Sequence, residues 1–318
     1  MIFDFPSSNF SRKISAEFGY DEFIIRRWER FFGRDETEKL VKAMENVPRY
    51  IRINTIKIEE ERLARKLEKR GFEVEKTEVP FCYEVKREPY SIGATPEYLM
   101  GHYYIMDKSS CIPPLALNPN ARDLVADFAA SPGGKTTMIA QLMGNSGRII
   151  AIEGNRERIP PLLDNIHRMG ALNAAVVHMN SAEFHRTGIR VDKILLDAPC
   201  TGEGIIHKDP SRKTSRGRDD IEFCSALQTK MLESAIKSLR RGGEVVYSTC
   251  SLTPEENELI IHKMLHEFNI HLEEIDYGRP AMTRVGELKL DSEVSRARRF
   301  FPHTHRCSGF FVAKIVRD

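Results

Sequence analysis

From Arg122 onward, short apolar runs alternate with helical patterns in strict order, and no other feature of the chain restricts its fold so tightly. Residues 123–126, 148–152, 174–179, 193–196 and 244–249 read as strands, and residues 135–143, 156–169, 221–241 and 254–268 read as helices. Repeated β-α units predict an α/β fold with a doubly wound, mostly parallel sheet. Crossovers in such sheets are right-handed, so the strand ends share one edge, and ligands bind outside it. A last run, Phe310-Phe311-Val312-Ala313, is expected to close the sheet.

The N-terminal part has a different pattern. Residues 20–47 give two helical faces, 50–54 alternates like a strand, 59–70 is a charged helix stopped by Gly71, and 72–75 alternates again. Pro and Gly scattered through 89–101 mark a boundary. The expected division is a small N-terminal α/β domain, 1–100, and a larger one, 101–318; a chain of 318 residues can bury a core in each.

No apolar run is long enough to span a bilayer, and MIFDFPSSNF lacks the profile of a signal peptide, so a soluble cytoplasmic protein is expected. The net charge of +2 requires any affinity for nucleic acid to come from local patches. The six cysteines form no C-x-x-C pair and no zinc spacing, which predicts reduced thiols and no metal; a disulfide stays open.

The first strand runs into Asp127-Phe128-Ala129-Ala130-Ser131-Pro132-Gly133-Gly134-Lys135-Thr136-Thr137. A Gly-Gly turn opening a helix lets a ligand approach the backbone and offers it amide N–H groups. Gly134-Lys135-Thr136 matches the end of a nucleotide-hydrolase phosphate loop. That loop needs glycine where Ala129 stands, and Pro132 removes an amide donor. Glu153 follows the glycine turn at about the twenty-residue spacing at which an acidic side chain meets ribose hydroxyls. Asn180 ends the third strand, where an amide can meet an adenine edge. These ends describe a site for a nucleoside cofactor with a small charged group.

Two further strands end in cysteine motifs: Asp197-Ala198-Pro199-Cys200-Thr201-Gly202, and Tyr247-Ser248-Thr249-Cys250. A lone cysteine is most simply a small buried hydrophobe. Two thiols and a carboxylate on one sheet edge are instead a catalytic constellation, although the residues alone do not say which thiol attacks.

These segments resemble the NOP/Sun family of S-adenosylmethionine-dependent RNA cytosine-C5 methyltransferases. The match runs through DFAASPGGKTT, AIEGNRER (Ala151 to Arg158), DAPCTGEG, YSTCSLTPEENE and RFFPHTHRCSGFFVAKI, in family order over about the last two thirds of the chain. The resemblance implies a Rossmann-like methyltransferase sheet. It implies S-adenosylmethionine held by Ala129, Ala130, Ser131, Pro132, Gly133, Gly134, Lys135, Glu153, Arg158, Asn180 and Asp197. It gives the nucleophile role to Cys250 and the release role to Cys200, with Asp197 holding the base. Lys135 by its chemistry can tune a nearby thiol or hold Asp197, and reads equally as a surface lysine at the helix start. Where the family often has Cys, Asp and Asp, this chain has Ala129, Glu153 and Asn180, which leaves the adenine contact at Asn180 open. The implied substrate is RNA, with transfer RNA, in an archaeal member, ahead of ribosomal RNA.

Lys208, Arg212, Lys213, Arg216 and Arg218 lie directly after the Cys200 motif and are expected to contact phosphates. Arg298, Arg299 and Phe301 mix cations with a ring that can stack on a base, and the N-terminal domain is expected to add RNA contacts. A P-loop-like nucleotide hydrolase and a catalytically silent RNA-binding scaffold are the readings from other classes.

Overall fold

Local capping chemistry explains the first helices of the computed structural model, which describes residues 2–318. Ser8 and Ser11 exchange side-chain and backbone hydrogen bonds, both 2.9 Å, to start α1 (Asn9–Phe18), and Gly19 ends it at φ +71°. Asp21 accepts from the Phe23 N–H at 2.8 Å to start α2 (Glu22–Phe32), and α3 (Arg34–Met44) follows Gly33.

Next come β1 (Tyr50–Ile53), α4 (Glu60–Glu68), β2 (Glu73–Lys76), β3 (Cys82–Arg87), α5 (Pro96–Leu99) and β4 (Tyr103–Ile105). They form an antiparallel sheet, order β2-β3-β1-β4, with Leu63 and Leu67 of α4 packed on Ile51, Ile53 and Tyr83. Each such burial contributes about 1.5–3 kcal/mol.

Helix α6 (Lys108–Leu117), which the pattern does not predict, precedes the alternating part, which folds as expected: β5 (Leu124–Asp127), α7 (Gly134–Leu142), β6 (Arg148–Glu153), α8 (Ile159–Met169), β7 (Ala174–His178), β8 (Val191–Asp197), α9 (Arg218–Ser238) and β9 (Leu239–Thr249). Strands β8, β5, β6 and β7 lie side by side in that order, all parallel, and β9 flanks β8. After α10 (Glu258–Glu267) and β10 (Ile270–Glu273) come the short β11 (Arg279–Pro280), β12 (Arg284–Val285) and β13 (Leu288–Lys289). Then β14 (Arg298–Phe300), α11 (Pro302–His305) and β15 (Phe310–Arg317) finish the chain, with β11, β14 and β15 paired antiparallel.

The helix expected from Arg156 begins as a 3₁₀ turn, Arg156–Arg158, and two further boundaries differ from expectation. The helix expected to reach Arg241 ends at Ser238, and Gly242-Gly243 lies inside β9. A Cβ on Gly243 would come 2.9 Å from the carbonyl oxygens of Arg240 and Asp192, so close packing within the strand selects that glycine, not a helix stop. The helix expected from Pro254 is a 3₁₀ turn, Pro254–Glu256, followed by α10.

By contacts the chain forms two compact units, each assembled from separate segments. The first holds residues up to Val47, 198–230 and 248–313; the second holds 48–197, 231–247 and 314–318. In the first, Ile14, Ile24, Ile25, Trp28, Leu40, Val41 and Met44 share a core with Ile206, Leu252 and Phe301. The second contains both the antiparallel small sheet and the parallel strands.

Candidate active site

In the second unit, the loop after β5 enters α7 through Gly133 at φ +102°. A Cβ on Gly133 would lie 3.2 Å from Leu162 Cδ1, at a φ that already favours glycine, and one on Gly134 would lie 3.0 Å from Tyr104 Cε1, so both positions are tightly packed. Arg52 of β1, fully buried, donates to the Gly134 carbonyl at 2.8 Å and to Thr137 Oγ1 at 3.1 Å, fixing the start of α7. Lys135 Nζ reaches Asp197 Oδ2 at 2.6 Å, joining that helix to the end of β8.

Sequence reading passed over Asp127. It is buried at the end of β5, accepts from the Thr136 hydroxyl at 2.6 Å, and burial lifts its carboxyl to about 6 against that bond. Its position at the strand end was the available signal.

Glu153 lies at the end of β6, buried; its Oε1 accepts from the Asn155 N–H at 2.8 Å, and its Oε2 lies 3.9 Å from Arg158 Nη1. Arg158 and Ser131 exchange two bonds, Nη2 to the Ser131 carbonyl at 2.7 Å and the serine hydroxyl to the Arg158 carbonyl at 2.8 Å. Ala130 N–H donates to the Ile152 carbonyl at 3.0 Å, which ties the glycine loop to β6. Asn180 uses its Oδ1 to accept from the Ala182 N–H at 3.1 Å, so part of the amide read as an adenine contact caps a turn. The glycine turn, the Glu153 carboxylate and the N-terminus of α7 suit the amino-acid and ribose parts of S-adenosylmethionine.

In the first unit the two cysteine loops are bound to each other. Ala198 N–H donates to the Ser248 carbonyl and Gly204 N–H to the Cys250 carbonyl, both at 2.8 Å, while Gly309 N–H donates to the Gly204 carbonyl at 2.9 Å. A Cβ on Gly204 would lie 2.0 Å from the Gly309 carbonyl oxygen, so only glycine allows this approach. The result is a Cys200 Sγ to Cys250 Sγ distance of 3.1 Å, with both residues partly exposed. All six cysteines are free thiols. The others offer no comparable chemistry: Cys82, Cys111 and Cys307 are buried, the adjacent Cys111 and burial push the Cys82 thiol well above its ordinary range, and burial pushes Cys224 up to about 12.

The cations after Cys200 divide in two. Arg212 donates to the Thr201 carbonyl at 2.6 Å and pairs with Asp209, Lys213 reaches the Phe18 carbonyl at 3.1 Å and Glu45 at 2.8 Å, and Arg216 lies 3.3 Å from Asp220. These three organise the loop that carries Cys200. Lys208 and Arg218 are exposed. Among the described residues, no group of three or more His, Cys, Asp or Glu side chains is placed to hold a metal ion, and no helix is long and apolar enough to cross a membrane.

The second expected RNA cluster is corrected. Arg299 is buried and donates to both oxygens of Glu258 at 2.5 Å and to the Leu252 carbonyl at 3.0 Å. Phe301 is buried with its ring 5.2 Å from Phe32, and Arg298 is spent on the carbonyls of Ile275 and Ser295. Arg299→Ala should therefore cost about 3–5 kcal/mol of stability by stranding Glu258. A denaturant titration showing unchanged stability alongside weakened RNA binding would restore the contact reading.

Glu203, in the loop after Cys200, is also buried and accepts from Trp28 Nε1 at 3.2 Å. Burial raises its carboxyl from 4.5 to about 7, with Arg27 opposing. The folded chain thus binds the proton more tightly than the unfolded one. The stability this contributes is complete below about 4.5 and is lost as pH rises through about 7. Glu203→Gln should be more stable than the native chain at pH 8, by about 3 kcal/mol at most, and lose that advantage by pH 5. Thermal melts at the two pH values check it; a constant difference would refute the protonation.

Residues 114–316 match the family model for 16S rRNA methyltransferase RsmB/F, and residues 20–84 match the ferredoxin-like domain model of RsmF/B-like methyltransferases. A mouse 28S rRNA (cytosine-C(5))-methyltransferase is 37% identical over 98% of this chain and 40% of its own length. A tRNA (cytosine(72)-C(5))-methyltransferase of Pyrococcus horikoshii is 39% identical over 72% of this chain and 56% of its own. The chain thus spans about half the length of these curated relatives. Among solved structures, a methyltransferase homolog protein from Pyrococcus horikoshii superposes with a TM-score of 0.90 at 40% identity, covering 98% of this chain and 100% of that one. NSun6 from Pyrococcus horikoshii with SFG, an S-adenosylmethionine analogue, gives 0.83 at 28% identity, covering 92% and 97%. With a mostly parallel Rossmann-like sheet, a ferredoxin-like domain and these matches, the chain belongs to the RsmB/F (NOP/Sun) family of S-adenosylmethionine-dependent RNA cytosine-C5 methyltransferases.

Proposed function

We propose that this chain methylates carbon 5 of a cytosine in RNA, with transfer RNA as substrate, through a covalent cysteine adduct. The observation that carries the reading is the pair of partly exposed sulfurs 3.1 Å apart, one in each of the two cysteine motifs. Asp197 and Cys200 are three positions apart in the chain, so the covalent chain keeps their Cα atoms within roughly 11 Å.

Carbon 5 of cytosine is a poor nucleophile. Cys250, as thiolate, adds to carbon 6; the new Sγ–C6 bond turns the ring into an enamine that is nucleophilic at carbon 5. Bound S-adenosylmethionine supplies an electrophilic sulfonium methyl to that carbon. Asp197 holds ring nitrogen 3 and the exocyclic amine of the base, and Lys135, whose Nζ is 2.6 Å from its carboxylate, orients it. Loss of the carbon-5 proton to a base, the role given to Cys200, re-forms the ring double bond as the Sγ–C6 bond breaks. Ala129 to Lys135, Glu153 and Arg158 hold the cofactor, with Asn180 beside the adenine. Residues 1–100 and the exposed Lys208 and Arg218 supply RNA contacts, and residues 101–318 the chemistry.

Transfer RNA is supported by the Pyrococcus relative named for it; ribosomal RNA, named for the mouse relative, is the alternative. The test is incubation of unmodified transfer and ribosomal RNA with methyl-labelled S-adenosylmethionine, followed by nucleoside analysis. Label in 5-methylcytidine from transfer RNA is expected. Label only from ribosomal RNA moves the substrate, and label in neither sinks the reading.

A further inference from the structure

We propose that Glu256 is the positioning residue that sets the separation of the two reactive sulfurs, an inference that rests on the roles given above to Cys200 and Cys250. Glu256 is fully buried in the first unit. Its Oε2 accepts from the Thr201 N–H at 3.0 Å and from Gln228 Nε2 at 2.8 Å. Its Oε1 accepts from the hydroxyls of Thr201 and Ser251, the latter at 2.8 Å, and from Thr253 at 3.3 Å.

These donors are the chain neighbours of the thiols. Thr201 follows Cys200 and Ser251 follows Cys250, so a single carboxylate grips both cysteine loops. Gln228 extends the grip, because the same Nε2 also donates to the carbonyl of Pro199, on the other side of Cys200, at 2.8 Å. The next residue completes the brace: Asn257 Oδ1 accepts from the Thr249 hydroxyl at 2.6 Å and its Nδ2 donates to the Ser251 carbonyl at 3.0 Å, so Cys250 is held on both sides. Asn257 is the residue before α10, yet its side chain makes no capping bond there. A carboxylate suits the position because both of its oxygens only accept, whereas a carboxamide turns one into a donor. Attack at carbon 6 and proton removal at carbon 5 act on adjacent atoms of one ring, so the sulfur spacing governs how well the two steps follow each other.

Glu256→Ala and Glu256→Gln test this in the full chain, with two readouts. One is turnover at saturating RNA and S-adenosylmethionine. The other is the rate at which diamide closes the Cys200–Cys250 disulfide, in which both thiol hydrogens pass to the diazene and reduce it to a hydrazine. From 3.1 Å the sulfurs need to approach by only about 1 Å to bond, so closure reports their spacing without needing catalysis. For Glu256→Ala, turnover should fall roughly 100-fold and disulfide closure roughly 10-fold, with the KM for S-adenosylmethionine unchanged. Glu256→Gln should lie between in both. Native turnover and closure in Glu256→Ala overturn the proposal, as does lost turnover with native closure. If Glu256→Ala fails to fold, native values for Glu256→Gln in both readouts overturn it. A native protein that makes no 5-methylcytosine defeats the methyltransferase reading while leaving the closure measurement intact.

Discussion

Cys250→Ala is expected to remove methyl transfer, and Cys200→Ala to leave the protein bonded to its RNA. Without the nucleophile the ring is never activated, and a loss on the order of 10⁵-fold in turnover follows for a residue that makes the covalent intermediate. Loss of the second thiol instead blocks the exit, since the methylated adduct keeps its carbon-5 proton. The adduct should then survive denaturing electrophoresis as a protein–RNA band. The 3.1 Å separation makes the two substitutions nearly isosteric changes at one spot, so a difference between them reports chemistry and not packing. A band with Cys250→Ala and none with Cys200→Ala would exchange the roles.

Substitution of Asp197 by Ala should lower turnover by roughly 10²–10³-fold, the loss typical of removing a hydrogen-bonding group aimed at charge developing on the substrate. Lys135 Nζ is 2.6 Å from the Asp197 carboxylate, so the two act as one unit. Lys135→Ala should also lower turnover, and the double variant should be little worse than Asp197→Ala alone. Binding of S-adenosylmethionine, measured by calorimetry, separates the two uses of the pair. A loss confined to cofactor affinity, with turnover restored at saturation, would show that Asp197 serves the cofactor and not the base.

Much of the glycine loop and of the two cysteine loops was legible in the sequence because their parts sit at strand ends, and strand ends follow from local periodicity. Asp197, Cys200 and Cys250 were named from that pattern, and so were the glycine turn and Glu153. Asp127 occupies the same kind of position, but the pattern assigns it no role, because its burial and its bond to Thr136 appear only in the folded chain. Glu256 and Asn257 read as the start of a helix, whereas their side chains reach the cysteine loops. Arg299 and Phe301 looked like a basic, aromatic surface, and only their partners Glu258 and Phe32, distant in the chain, show them to be buried.

The sequence by itself determined the alternation of strands and helices, the order of the glycine-loop and thiol motifs, and the residue types proposed to carry the chemistry. Period, capping residues and turn residues act over a few positions and need no distant partner. The tertiary structure alone decided that α1 to α3 share a core with Ile206, Leu252 and Phe301, that Arg212 and Lys213 are spent on the chain itself, and that the two sulfurs stand within contact. Burial and ion pairing are settled between residues up to two hundred or more positions apart, as with Arg27 and Glu255, and no local pattern encodes which of them meet.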